Sequence, residues 1–299
     1  MSRPLLAGLA LAGLTVSPLL AEPATYASPT DAAMAFMEAL DSNEPGAVLS
    51  VFGPENGDLV RSGDPVEDGI NRLAVQAMFR EGYRLQPQED GSVVLALGAD
   101  GWPFPVPLAR MDEGWAFDAA AGAAEVLARE IGGNELDIID LMDAYGDVQL
   151  AFRLVDQDGD GVMEFARQII SSAEDRDGLF WPGQNSPMGA NLARASVFGY
   201  NDGETDHPPE PHHGYYFRIL DGQTDAAPGG AMSYLVNDQM VGGHGLLAVP
   251  ADYGVTGIHS FMVSENGVIL QADLGEETLD IAADMTLYDP GDAWSPVED

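Results

Sequence analysis

The chain of 299 residues has no cysteine and no lysine; its twelve basic residues are all arginine. Without cysteine there is no disulfide, no thiolate metal site, no cysteine nucleophile and no lipoprotein anchor. Twelve positive charges against 49 carboxylates leave a net charge of -37. Such a field repels nucleic-acid phosphates and anionic membrane surfaces, so neither is expected as a partner. After the first 21 residues no run is long and apolar enough to span a bilayer, and no membrane insertion is expected. G-x-S-x-G, H-E-x-x-H and P-loop signatures are missing as well, which removes the commonest hydrolase and nucleotide-handling motifs.

What is present begins with an export signal. Met1-Ser2-Arg3 supplies the positive start, "LLAGLALAGLTV" is a short apolar core, and "SPLLA" ends on the small residue Ala21. The single arginine excludes a twin-arginine signal. A signal peptide over 1–21 places the mature protein in the periplasm or outside the cell as a soluble, acidic protein. A carboxylate-rich surface stays hydrated in salt, where screening relieves its self-repulsion.

The rest reads as an α+β chain in two parts, 22–120 and 121–299. "SPTDAAMAFMEALDS" is a helix capped by Ser28 or Thr30, with Ala33, Phe36, Met37 and Leu40 on its apolar face. "PGAVLSVFG" is a second helix, and "INRLAVQAMFREGY" a third with Ile70, Leu73, Ala77 and Phe79 at helical spacing. "RLQPQ", "SVVLALG", "PFPVPLARM" and "GWAFDAA" then form a small antiparallel sheet with hairpin turns at "EDG" and "DEG". This order resembles the cone-shaped, nuclear-transport-factor-like folds, with "DEGWAFD" the nearest echo.

From residue 119 to 155 a three-to-four spacing runs through Leu127, Ile131, Leu136, Ile139, Met142, Tyr145, Val148 and Phe152. Gly132-Gly133 is expected to break this helix and Asn134 to cap its longer second half. "MEFARQIISSA" and "ANLARASVFGY" read as short helices. "HGYYFRIL", "MSYLVNDQ", "HGLLAVPA", "IHSFMVSE" and "GVILQAD" read as strands of a second antiparallel sheet, with a hairpin at Asn266-Gly267. "ETLDIAADMTLYDP" is a last helix or coil.

The stretches "GDPVEDG", "GWPFPVPL", "IGGNELDIIDLMDAYGDVQLAF", "DQDGDGVMEFARQIIS", "RDGLFWP", "HHGYYFRIL" and "AVPADYGVTGIHSFMVSENGVILQADLG" resemble the DUF2950 family, exported bacterial proteins of unknown function. A helix carrying "NE…Y…Q…F", followed by "GYYFRIL" and "AVPADYGVTGIHSFMVSENGVIL", is similar to the globular heads of pseudopilins and pilin-like proteins. That resemblance implies a long helix packed on an antiparallel sheet. The N-terminus departs from it, having no prepilin cleavage site with a continuous hydrophobic helix, which speaks against filament incorporation.

Residues 156–165, "DQDGDGVMEF", carry the chemistry. Asp156, Asp158 and Asp160 occupy positions 1, 3 and 5 of an EF-hand-type loop, Gly161 position 6, the Val162 carbonyl position 7 and Glu164 position 9. Position 12 is Arg167, which cannot ligate a cation, so the loop is truncated. Either it holds a structural Ca2+ or it is an acidic turn between helices. "HPPEPHHGYY" offers His207, Glu210, His212 and His213, with His244 and His259 from other strands, as zinc ligands. Against this, adjacent histidines on a strand point to opposite faces. "GWPFPVPL" and "GLFWPG" are aromatic segments able to line a groove, or to plug the core.

The leading reading is a non-enzymatic binding or assembly protein of the cell envelope, of unknown function, whose partner is an envelope protein or an extracellular polymer. A carboxylate-dependent hydrolase of cell-wall or polysaccharide material and a pseudopilin-like secretion component are the alternatives. The charge balance yields a prediction: the melting temperature rises with sodium chloride, most steeply below about 0.15 M, where the Debye length exceeds about 8 Å. A melt that is flat or falls across that range refutes the role given to self-repulsion.

Overall fold

The structure, a computed structural model, describes residues 23–298 other than 43, 45, 62, 172–175, 182–185, 188–194, 196–199, 202–205 and 208. The expected export signal lies outside the described residues, as does nearly all of the helix expected over 190–200. The chain divides into two compact units, one ending at Val126 and the other beginning at Leu127. No helix among the described residues is long and apolar enough to cross a membrane.

In the first unit α1 (Pro29–Asp41) starts where the Ser28 hydroxyl accepts from the Asp31 amide at 3.2 Å, with Pro29 at a position that needs no donor. Its buried face is Ala32, Ala33, Phe36, Met37 and Leu40. After α2 (Ala47–Phe52) comes α3 (Pro65–Glu81), whose first turn is capped by Asp64 accepting from Val66 at 2.8 Å. Strands β1 (Tyr83–Pro87), β2 (Val93–Leu97), β3 (Trp102–Pro103), β4 (Leu108–Met111) and β5 (Gly114–Phe117) form an antiparallel sheet. Its order is β1-β2-β4-β5, with β3 also paired to β2. The core gathers Phe36, Phe52, Phe104 and Phe117, with Phe36 to Phe104 centroids 4.9 Å apart and Phe52 to Phe117 edge-on at 5.2 Å. Phe104, Val106 and Leu108 of "GWPFPVPL" alternate into that core, so the segment is a plug, with Trp102 at its half-covered edge.

The orientation of α3 overturns its expected apolar face at Ile70, Leu73 and Ala77, while Phe79 is buried as expected. Ile70 and Leu73 are 61% and 65% exposed, while Arg72, Gln76 and Phe79 turn inward. The Arg72 guanidinium donates to the carbonyls of Leu40 at 2.6 Å and Ala39 at 3.3 Å, and also to Ser42; the Gln76 amide reaches Leu40. The last carbonyls of α1 have no partner of their own and carry the negative end of its dipole. A cation with several donors satisfies them, and that demand outranks the burial of Ile70 and Leu73.

The helix α4 (Ala119–Arg153) passes from the first unit into the second without a break. It starts beside Val106, where a Cβ on Gly122 would come within 2.7 Å of the valine methyl, so glycine permits the close approach. The expected interruption at Gly132-Gly133 does not occur. Each glycine costs about 1 kcal/mol relative to alanine in a helix, but both keep helical geometry because neighbouring side chains are tied down. Asn134 does not cap anything; its amide donates to the Thr256 carbonyl at 3.0 Å. Glu135 accepts from the backbone amides of Ile258 and His259, each at 2.9 Å.

In the second unit the strands are β6 (Gln168–Ile170), β7 (Gly178–Phe180), β8 (Tyr200–Asn201), β9 (Asp206–His207), β10 (Tyr215–Ile219), β11 (Gly222–Gln223), β12 (Met232–Ser233), β13 (Leu235–Val236), β14 (Gln239–Met240), β15 (Gly245–Pro250), β16 (His259–Ser264), β17 (Leu270–Asp273), β18 (Leu287–Tyr288) and β19 (Ser295–Pro296). The main sheet is antiparallel, in the order β10-β15-β16-β17-β19. β15 is buried throughout, because its two faces serve two cores. Leu246 and Ala248 face the α4 side, where Ile138, Met142, Tyr145 and Phe152 pack with Phe217 and Phe261. Leu247 and Val249 face Met262, Tyr288 and Ala282 of the short helix α5 (Thr278–Asp284). A long helix on an antiparallel sheet, after helices with a smaller sheet, is the expected α+β class.

Two details differ. The buried stripe of α4 includes Ile138 and Gln149, while Leu136, expected inside, is 65% exposed. The helix expected for "MEFARQIISSA" is absent: β6 instead pairs in parallel with β7. Its amides are taken from outside, Phe165 by the Met240 carbonyl, Ala166 by the Gln149 side chain and Arg167 by the Asp177 carbonyl, each at 2.8 Å. No donor is left for an i−4 bond there. For α3, Leu73→Gln is expected to change unfolding free energy by less than about 0.5 kcal/mol. Arg72→Met, which strips the α1 carbonyls of their donor, is expected to lower it by about 1–3 kcal/mol in urea titrations. The reverse ranking would refute the inverted packing of this helix.

Candidate functional site

The acidic loop begins where α4 ends, and three aspartates wind it. Asp156 accepts from Gly159 at 2.8 Å through Oδ1 and from Gly161 at 3.0 Å through Oδ2. Asp158 accepts from the Asp160 amide at 3.2 Å, and Asp160 from the Val162 amide at 2.7 Å. Each carboxylate thus takes a backbone donor a few residues on, the Asx habit of turns. Gly159 and Gly161 make the reversals at φ of 82° and 92°, which side chains with a Cβ seldom adopt.

The loop leans on the hairpin β13–β14, itself turned through Asn237 and Asp238 at positive φ. Gln239 donates its side-chain amide to Asp160, and the Met240 amide donates to Glu164 Oε2 at 3.0 Å. Arg167, at the twelfth position, donates to the Asp238 carbonyl at 3.4 Å. Ligand atoms of Asp156, Asp158 and Asp160 lie within 4.8 Å of one another, the one such group of three or more histidine or acidic residues among the described residues. Glu164 falls outside that group, committed to the hairpin. Burial pushes its carboxyl above the usual carboxylate range, and Asp158, Asp160 and Asp177 add repulsion against the pull of the Met240 amide. Two carboxylates about 5 Å apart repel by roughly 1 kcal/mol in water and several times more near a protein surface.

The histidines are dispersed into different roles. The side chain of His207 lies outside the described residues. His212 and His213 do not point to opposite faces as on a strand, because His213-Gly214 is a two-residue hairpin turn at φ of 48° and 73°. His212 and Tyr215 exchange both backbone bonds across it at 3.0 Å. The two rings meet edge to face, 4.4 Å between centroids, and His213 Nδ1 sits 2.6 Å from Asp137 Oδ2 on α4. His259 Nδ1 lies 3.2 Å from both oxygens of Glu135. His244 is buried edge-on to Tyr145 and Phe165, and its Nδ1 has no hydrogen-bond partner among the described residues.

Two residues of α4 that were not expected to serve the acidic loop hold its frame. Gln149, fully buried, donates to Tyr145 Oη at 2.9 Å and to the Ala166 carbonyl at 3.1 Å while accepting from the Ala166 amide. Tyr145 in turn donates to the Gly245 carbonyl at 3.1 Å. A glutamine on an otherwise apolar helix stripe was the available signal. Beside this network an apolar cavity of about 90 Å³ is walled by Leu141, Val148, Ile169, Leu179, Phe217 and Leu246. "GLFWPG" contributes packing here too, with Leu179, Phe180 and Trp181 buried.

Burial, reinforced by Arg153, pushes the His244 imidazole down to about 4 from its ordinary 6.5. Between those values the unfolded chain binds a proton that the folded chain refuses, so stability falls as pH drops through that window. The loss attributable to this residue approaches about 3 kcal/mol below the folded pKa. His244→Phe should therefore flatten the dependence of urea stability on pH between about 6.5 and 4, and an unchanged slope would exclude His244 as its source.

No curated protein and no solved structure matches the chain, so no structural neighbour supports the resemblance to pseudopilin heads or to nuclear-transport-factor-like folds. Residues 23–297 match one family over nearly all of the chain, and the protein belongs to it: the family described as protein of unknown function (DUF2950).

Proposed function

We propose that this is an exported binding or assembly protein of the cell envelope, periplasmic or secreted, in which residues 156–164 take up a structural Ca2+. The observation that carries the calcium reading is the convergence of three aspartate ligand atoms within 4.8 Å on a loop already turned by two glycines. Hard carboxylate oxygens suit calcium, and the Val162 carbonyl and water are the further oxygens the loop offers. Glu164 would have to release the Met240 amide to join them. With Arg167 at position 12 there is no bidentate anchor, so affinity belongs in the weak range of extracellular modules, about 10⁻⁴–10⁻³ M. Calcium at that strength is met outside the cytoplasm, which agrees with the export signal.

The ion would act on the fold. It would neutralise the charges that follow α4 and hold the loop in place beside β13–β14, to which Asp160 is tied by the Gln239 side chain. The envelope role is supported by the signal sequence and by the acidic, lysine-free surface.

Calcium about a hundredfold above its Kd should raise the melting temperature by about 5–10 °C. Asp158→Asn keeps the acceptor for the Asp160 amide but removes a charge, and should abolish most of the rise. If sodium chloride of equal ionic strength reproduces the shift, or Asp158→Asn retains it, the loop is an ordinary acidic turn.

A further inference from the structure

We propose that His212 and His213 form a second, chemically different metal site, selective for zinc-class divalent ions, with Asp137 as the carboxylate that positions His213. The turn gives the first reason. His213 stands at φ 48° beside Gly214 at 73° in a two-residue hairpin whose flanks, His212 and Tyr215, are locked by two 3.0 Å backbone bonds. Such turns favour Asn, Asp or Gly at the first central position. Histidine takes the left-handed region more readily than most side chains, so the turn holds its ring at a fixed place beside His212.

Ring geometry is the second reason. The His212 and His213 centroids are 4.4 Å apart with planes at 88°. Two imidazoles on one tetrahedral zinc, with Zn–N near 2.0–2.1 Å, have centroids about 5 Å apart. Rotation of the two side chains on a fixed backbone would bring both rings onto one ion. Third, Asp137 Oδ2 lies 2.6 Å from His213 Nδ1. A proton on Nδ1 donated to that carboxylate leaves the Nε2 lone pair for a metal, the carboxylate–histidine–metal order in which the carboxylate orients the ring. Asp137 is carried by α4, so the positioning group comes from a rigid element of the same unit.

Two protein nitrogens leave coordination positions for water or for a group from solvent, and the strong negative charge of the chain raises the local concentration of any divalent cation. Imidazole nitrogen suits zinc-class ions and not calcium, which takes oxygen ligands. The inference is therefore independent of the calcium reading, and each can fail alone.

The test uses untagged, chelator-stripped full chain, titrated calorimetrically with zinc chloride near neutral pH in the presence of excess calcium. The expected result is one zinc per chain, not displaced by calcium, and released at about pH 5 where free imidazoles protonate. His212→Gln and His213→Asn should each weaken it at least about tenfold; asparagine accepts the left-handed turn, and an unchanged melting temperature will show that the fold is kept. Asp137→Asn, with both imidazoles in place, should weaken zinc about ten- to a hundredfold. Zinc binding unaltered in the two histidine variants, displaced by calcium, or missing from the native chain overturns the site. Unaltered affinity in Asp137→Asn overturns the positioning role.

Discussion

The burial of one stripe of α4 against the main sheet is the constraint on which the second unit depends. Ile138, Met142, Tyr145 and Phe152 supply the apolar area, and Gln149 sits among them with its amide fully used. That amide pairs with both backbone groups of Ala166 much as a neighbouring strand would. A buried amide without partners would be costly, whereas a satisfied one fixes a single register. The acidic loop is thereby held at both ends: by the end of α4, where Gln157 donates to the Phe152 carbonyl at 3.3 Å, and by Ala166 beyond it.

A chain this acidic has few cations to place, and several of them serve backbone carbonyl groups, while Arg80 pairs with the Asp41 carboxylate. Arg72 binds the end of α1, Arg218 donates to the carbonyls of Ala282, Ala283 and Met285 at the end of α5, and Arg167 reaches the turn of β13–β14. Helix C-termini carry partial negative charge, and a guanidinium with five donors satisfies several carbonyls at once. The carboxylates in turn are satisfied by backbone amides, as in the three aspartates of the loop and in Glu135. Both signs are therefore absorbed by the backbone, which lets -37 coexist with compact units.

Much of this was legible in the chain itself. α1 kept its predicted cap and face because Ser28, Pro29 and the alternation of Ala33, Phe36, Met37 and Leu40 all favour one answer. The Asn266-Gly267 turn joins β16 to β17 as expected, with Gly267 at φ 71°. The aspartates at alternate positions converge because the spacing itself generates the Asx turns. Failures arose where a distant group changed the local balance. The apolar spacing of α3 favours one face, but the carbonyls of α1 claim its polar side. The pattern of "MEFARQIISSA" favours a helix, but Met240, Gln149 and Asp177 claim its amides.

By itself the sequence determined the local matters: the α+β class, the cap and face of α1, the turn between β16 and β17, and the acidic loop with its missing anchor. Tertiary structure alone decided which face of α3 turns inward, that α4 runs through Gly132-Gly133, and that His213 meets Asp137 while its ring packs on His212. The physical reason is reach. Caps, turns and periodicity act within a few residues, whereas pairs such as Arg72 with Leu40, Glu135 with His259 and Gln149 with Ala166 join groups whose proximity no local pattern encodes.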